Sequence, residues 1–218
     1  MNSTNTDPNL ADTDSDGLSD GDEVNVHNTD PLDADSDDDT LNDGDEINTH
    51  GTNPNLADSD SDGLTDAQEV LTYNTNPNLP DSDSDGLTDG AEVNTHGTDP
   101  LKPDSDEDGL SDGAEINTHG TNPLLADSDG DTLSDGDEIN TYGSNPLLTD
   151  SDSDGIADNV EVVNGTNPAK ADTDDDGVDD AADLFPTDPA EWSDLDGDGQ
   201  GDNSCLLYTS PSPRDFQV

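Results

Sequence analysis

Basic side chains are nearly missing from this chain: three Lys and Arg face 58 Asp and Glu, a formal charge of −55 over 218 residues. Nucleic acid is thereby excluded as a partner, because phosphate binding needs clustered Lys and Arg, whereas Lys102 and Lys170 are solitary and Arg214 lies in the C-terminal tail. Aromatic residues amount to 3% and apolar residues to 25%. No sizeable core can form from them, so burial cannot offset an ordering cost of roughly 1–2 kcal/mol per residue. No apolar run approaches the ~20 residues of a membrane span, and no secretory leader opens the chain. Catalysis by paired carboxylates would need a pocket that separates their pKa values. This composition offers no apolar cleft, so no enzyme is expected. Such a polyanion stays disordered unless something neutralises it. Divalent cations can do so and can supply the missing folding free energy.

What the sequence has in abundance is acid at fixed spacing. The pattern Asp-x-Asp-x-Asp-Gly/Thr-apolar-x-Asp-x-x-Glu begins at Asp12, Asp35, Asp58, Asp81, Asp104, Asp127 and Asp150, an unbroken interval of 23 residues. It matches the twelve-residue calcium loop, in which side chains at positions 1, 3, 5 and 9, a carbonyl at 7 and a bidentate Glu at 12 wrap one ion, with Gly turning the chain at 6. The first copy supplies Asp12, Asp14, Asp16, the Leu18 carbonyl, Asp20 and Glu23, turning at Gly17. The second supplies Asp35, Asp37, Asp39, Leu41, Asp43 and Glu46, and the third Asp58, Asp60, Asp62, Leu64, Asp66 and Glu69. Asp81, Asp83, Asp85, Leu87, Asp89 and Glu92 form the fourth set, and Asp104, Asp106, Asp108, Leu110, Asp112 and Glu115 the fifth. Asp127, Asp129, Asp131, Leu133, Asp135 and Glu138 follow in the sixth, then Asp150, Asp152, Asp154, Ile156, Asp158 and Glu161 in the seventh. An eighth loop, Asp172, Asp174, Asp176, Val178 and Asp180, ends on the shorter Asp183. A ninth opens with Asp194, Asp196, Asp198, Gln200 and Asp202 and then stops. Calcium, which accepts six to eight oxygens in a flexible cage, fits these loops better than magnesium. About one calcium ion per repeat, or more, is expected.

A period of this length signals an array in which one repeat defines the fold. After the loop too few residues remain for the second helix of a full EF-hand. The expected fold is therefore a calcium-organised linear repeat array of irregular loops, with one short helix per ~23-residue repeat, little or no sheet and a minimal core. In the fourth copy the helix is expected over about Gly90–His96, with position 9 and Glu92 spaced as a capping box and Gly97 as the left-handed C-terminal residue. Thr40 and Thr132 replace Gly at position 6, where a positive φ is expected, so those loops are expected to be weaker or differently shaped. Position 16 alternates His27, His50, Tyr73, His96, His119 and Tyr142. One His per repeat builds no tetrahedral zinc site, and helix-end packing is the expected role. Phe185 and Trp192 are expected to pack locally beside the eighth loop.

Residues 1–11 read as a partial repeat, 12–171 as seven full repeats, and 172–203 as two divergent ones, the last incomplete. Residues 204–218, including Cys205, abandon the acidic composition mid-loop and resemble the translation of a sequencing adapter, a non-native tail.

The motif Asp-x-Asp-x-Asp-Gly-Leu-Ser/Thr-Asp-Gly-x-Glu, followed by Gly-Thr-Asn/Asp-Pro, resembles the bacterial thrombospondin type 3 repeat from about Asp12 to Asn203. Phe185-Pro186 stands where animal repeats carry Cys-Pro, so disulfide bracing is not implied. The resemblance implies a calcium-loaded, loop-rich array that can hold more than one calcium per repeat, in secreted or surface-attached bacterial proteins, joining other domains and associated with adhesion. Extracellular calcium suits such modules, with dissociation constants of about 10⁻⁴–10⁻³ M. The signal sequence and neighbouring domains are expected outside this fragment. A stalk or spacer is the leading functional expectation. The alternative is a dockerin-like protein-binding module, which uses similar calcium loops as a duplicated pair. A calcium β-roll is excluded because its Gly-Gly-x-Gly-x-Asp nonapeptide is absent.

Overall fold

The computed structural model describes residues 6, 7, 9–191, 193, 194 and 201. They form two bodies by contact, one holding residues up to Asp106 with Ser111–Leu124, the other Glu107–Leu110 with Leu125 onward. The recurring unit is a loop followed by a short helix, up to the helix Asp158–Asn164. Among the described residues there is no strand, and no helix is long and apolar enough to cross a membrane.

In the first six repeats the helix is an α-turn that widens into a π-turn. The pairs are Asp20–Asp22 with Glu23–His27, Asp43–Asp45 with Glu46–His50, Asp66–Gln68 with Glu69–Tyr73, and Asp89–Ala91 with Glu92–His96. Asp112–Ala114 with Glu115–His119 and Asp135–Asp137 with Glu138–Tyr142 follow, and the seventh repeat ends instead in the α-helix Asp158–Asn164. The widening is set by counting. In the fourth repeat the left-handed Gly97 (φ 78°) lies five residues beyond Glu92, and its N–H bonds the Glu92 carbonyl at 2.6 Å, a π-type closure. The seventh repeat is one residue shorter, so Gly165 N–H bonds the Glu161 carbonyl four residues back, and the same segment becomes α. Asn28 and Asn74 take the left-handed place of Gly51, Gly97, Gly120 and Gly143.

The N-terminal cap lies one residue earlier than the sequence expectation. Ser19, Thr65, Thr88, Ser111 and Ser134, at position 8, accept from the backbone three residues on. The reciprocal capping box occurs only at Thr65 and Gln68 among the described helices, not between loop position 9 and the glutamate at loop position 12. The position 9 carboxylate is committed elsewhere.

The apolar interior is as small as the composition demands. Leu18, Leu41, Leu64, Ala67, Leu87 and Leu110 are its buried hydrophobic side chains, joined by buried prolines such as Pro54, Pro77 and Pro100. Leu101 is 49% exposed, and Val93 is half-buried. What replaces a core is acid. Glu23, Glu46, Glu69, Glu92, Glu115, Glu138 and Glu161 are 0% exposed, as are Asp43, Asp66, Asp89, Asp112, Asp135 and Asp158.

Candidate metal centre

The loop backbone first folds around its opening carboxylate. Asp12 Oδ1 accepts from the Ser15 amide at 2.7 Å and Oδ2 from the Gly17 amide at 3.2 Å. Asp58, Asp81 and Asp150 accept in the same way from positions 4 and 6 of their loops. Both donors come from residues with positive φ: Ser15 at 69° and Gly17 at 104°. The two amides thus point inward and hold the anion. Asp14 Oδ1 takes the Asp16 amide, and Asp16 Oδ1 takes the Leu18 amide at 2.7 Å.

These bonds leave the first three carboxylates converging. Asp12, Asp14 and Asp16 each bring an oxygen within 4.8 Å of the others, as do Asp35, Asp37 and Asp39, Asp58, Asp60 and Asp62, and Asp81, Asp83 and Asp85. The outer oxygens of Asp14, Asp37, Asp60, Asp83, Asp129 and Asp152 are buried and meet no donor. In the fifth loop Asp104 and Asp106 belong to the first body, and Asp108 and Leu110 to the second.

Positions 9 and 12 complete the acidic interior. Asp43 Oδ1 accepts from the Ser36 amide at 2.8 Å and Oδ2 from the Ser36 hydroxyl at 2.7 Å, a clamp repeated from Asp20 with Thr13 to Asp180 with Thr173. Glu92 Oε1 accepts from the Thr98 hydroxyl at 3.2 Å, and Glu46, Glu69, Glu115, Glu138 and Glu161 have the same kind of hydroxyl partner. The second oxygen of Glu46, Glu69, Glu92, Glu138 and Glu161 has no donor, and Glu23 has none on either oxygen. A buried, ionised carboxylate without a partner is costly, and a cation is the group that removes that cost. The residues present therefore fit a bound divalent cation.

The acidic interior also crosses between repeats. Asp16 Oδ2 accepts from the Gly44 amide of the next repeat at 3.1 Å, and six further contacts of this kind run from Asp39 to Ala67 through Asp154 to Ala181. Asp16, Glu23 and Asp43 form a second group within 4.8 Å, all three buried. Asp43, at position 9 of the second repeat, thus joins positions 5 and 12 of the first.

Burial, reinforced by the neighbouring aspartates, pushes the carboxyls of Glu46, Glu69 and Glu92 up to about 8 and those of Glu23, Glu138 and Glu161 up to about 7. Asp37, Asp60 and Asp83 rise to about 6 for the same cause. The ion-free fold therefore binds more protons than the unfolded chain, so its stability falls as pH rises from about 4.5 through about 8. Circular dichroism of the calcium-depleted chain is expected to show more helix at pH 5 than at pH 8. The opposite order would contradict the burial assigned to these glutamates.

Thr40 and Thr132 keep the positive φ of the glycines they replace, at 87° and 88°, and their amides still bond Asp35 and Asp127. These turns are tighter in φ than the 102–105° of Gly17, Gly63, Gly86 and Gly109, and a β-branched residue there is strained. The position 16 side chains are half-buried at the helix ends, and the His27 and His50 carbonyls accept from Asn55 and Asn78. The eighth loop keeps the Asp172–Gly177, Asp176–Val178 and Asp180–Thr173 bonds, while an oxygen of Asp183 is buried without a donor. Phe185 is half-buried. Trp192, Asp196, Asp198, Gln200, Asp202 and Cys205 lie outside the described residues.

The family description Bacterial TSP3 repeat matches residues 12–34, 35–57, 58–80, 81–103, 104–126, 127–149 and 150–171. Among curated proteins none matches this chain. Two solved structures are similar over short stretches. A biofilm associated protein B domain is 40% identical over 21% of this chain and 11% of its own, with a TM-score of 0.21. A biofilm associated protein BSP domain is 41% identical over 20% of this chain and 8% of its own, with a TM-score of 0.20.

Proposed function

Because the chain belongs to the bacterial thrombospondin type 3 repeat family, a calcium-binding repeat module rather than an enzyme family, we propose that it is a calcium-folded spacer of a secreted or surface-attached protein. The observation that carries the reading is the row of fully buried glutamates whose second carboxylate oxygen meets no donor. In each repeat whose loop lies within one body, the carboxylates at positions 1, 3 and 5, the position 7 carbonyl and the glutamate at position 12 hold calcium. Asp43, at position 9 of the second repeat, closes a second cation position with Asp16 and Glu23, so the first repeat shares a second ion with its neighbour. When bound, calcium neutralises the carboxylates; the chain's own residues fix where they stand. Loop amides orient Asp12, the Thr98 hydroxyl and its equivalents orient Glu92 and its equivalents, and position 5 ties each repeat to the next.

A chain that orders only where calcium is about millimolar leaves the cell unfolded and stiffens outside it. Such a spacer joins other domains of a longer protein and supports adhesion by holding them away from the surface. Small-angle scattering of the chain tests this. Calcium is expected to convert the profile of a flexible polymer into that of an ordered particle. Identical profiles in calcium and in chelator would overturn the spacer reading.

A further inference from the structure

The joints between successive repeats are of two kinds, and each kind is written on both sides of the joint. Where position 6 is glycine (Gly17, Gly63, Gly86, Gly109), position 10 of the following repeat is also glycine (Gly44, Gly90, Gly113, Gly136). Where position 6 is Thr40 or Thr132, position 10 of the following repeat is Ala67 or Asn159. No glycine loop is followed by a side chain at a full-length joint. The joint after the seventh repeat, Gly155 with Ala181, follows the shortened repeat, where the contact offset falls from 28 to 27 and no helix follows among the described residues.

The pairing has a steric cause. A Cβ added at Gly44, Gly90, Gly113 or Gly136 would overlap the backbone carbonyl of the position 5 aspartate in the preceding loop. That aspartate is the one whose carboxylate takes the same glycine's amide, so neither side can retreat without loss of the bond. At the threonine joints the side chains of Ala67 and Asn159 are accommodated. The turn there is tighter in φ, 87° and 88° against 102–105° in the four glycine loops, and the amide–carboxylate distances are 2.9 and 3.0 Å. At Gly90, Gly113 and Gly136 they are 2.6–2.7 Å, although 3.1 Å at Gly44.

A third position changes in step. Asn94, Asn117 and Asn140 donate at 3.4 Å to the carbonyls of Gly63, Gly86 and Gly109. After a threonine loop this position is Leu71 or Val163, whose side chains cannot donate. The Asn159 side-chain amide instead donates to the Thr132 hydroxyl at 3.2 Å.

We infer that position 6 of one repeat and position 10 of the next form a matched pair that decides which repeats pack together. At a full-length joint a glycine loop accepts only a glycine-bearing successor, whereas a threonine loop is shaped for a successor with a side chain. Tandem repeats this alike are prone to pair out of order. The third and seventh repeats, carrying Ala67 and Asn159, are barred by overlap from docking behind a glycine loop at a full-length joint, which is selection by clash. The rule does not depend on which cation fills the loops.

Thermal unfolding of the full calcium-loaded chain tests the pairing at two joints. Gly90→Ala alone is expected to lower the midpoint by about 5 °C, but to raise it in a chain already carrying Gly63→Thr. Ala67→Gly alone is expected to lower the midpoint, but to raise it in a Thr40→Gly background. The second pair stays readable if Gly90→Ala prevents folding. Reversal of sign between backgrounds supports the matched pair; substitutions that shift the midpoint equally in both backgrounds overturn it.

Discussion

Stripped of divalent cations at neutral pH, the chain is expected to lose most of its helical signal and regain it when millimolar calcium is restored. The cause is the balance of the interior. Its buried apolar side chains are few, Leu18, Leu41, Leu64, Ala67, Leu87 and Leu110, while one fully buried Glu occupies each of seven repeats. Without an ion, each Glu either stays charged and unpaired, which is costly, or holds a proton, as the rise of Glu46, Glu69 and Glu92 to about 8 allows. Protonation does not cancel the formal charge of −55, and self-repulsion still opposes compaction. Far-ultraviolet circular dichroism through a chelation and re-addition cycle checks the expectation. Retained helix in chelator would mean that the hydrogen bonds around Asp12 and its equivalents suffice alone.

The second large effect is local in cause and wider in reach. Glu92→Ala is expected to abolish at least one bound ion in the fourth repeat and to loosen the Asp112–Ala114 turn of the next. Glu92 is 0% exposed and lies among Asp83, Asp85 and Asp89, whose charges raise its pKa further once burial has raised it. Its removal leaves Thr98 without its carboxylate acceptor and those aspartates without the longest ligand of the set. The effect then spreads through Asp85, whose second oxygen holds the Gly113 amide of the next repeat at 2.7 Å. Glu92→Gln, which keeps the volume, separates loss of charge from loss of packing. Equal ion counts in Glu92→Ala and the unchanged chain would contradict the ligand assignment.

Much of this architecture was legible in the period itself. Asp at 1, 3 and 5 with Gly at 6 specifies a turn around an ion, and left-handed residues such as Gly97 mark where each helix must stop. The π-turn was also written there, as five residues rather than four between Glu92 and Gly97, but helix patterns alone do not reveal it. The polar residues at positions 2 and 18 recur as faithfully as the acids. Ser82 and Thr98 are the donors that orient Asp89 and Glu92, so recurrence of hydroxyl residues was the missed signal. Position 4 gave a signal at Gly130 alone: Ser61, Ser84 and Asp38 adopt positive φ without the glycine that usually marks it. Nor could spacing show that Asp43 faces Asp16 and Glu23 of the preceding repeat. In near-identical repeats, a contact within one repeat and a contact with its neighbour leave the same sequence pattern.

The most direct test of calcium as the agent that folds the chain is a calorimetric titration of the whole protein from the calcium-free state, with circular dichroism followed at each addition. The account predicts more ions bound than the seven matched repeats, with helix gained in step with occupancy. No heat of binding at millimolar calcium, or binding that leaves the spectrum unchanged, would contradict it.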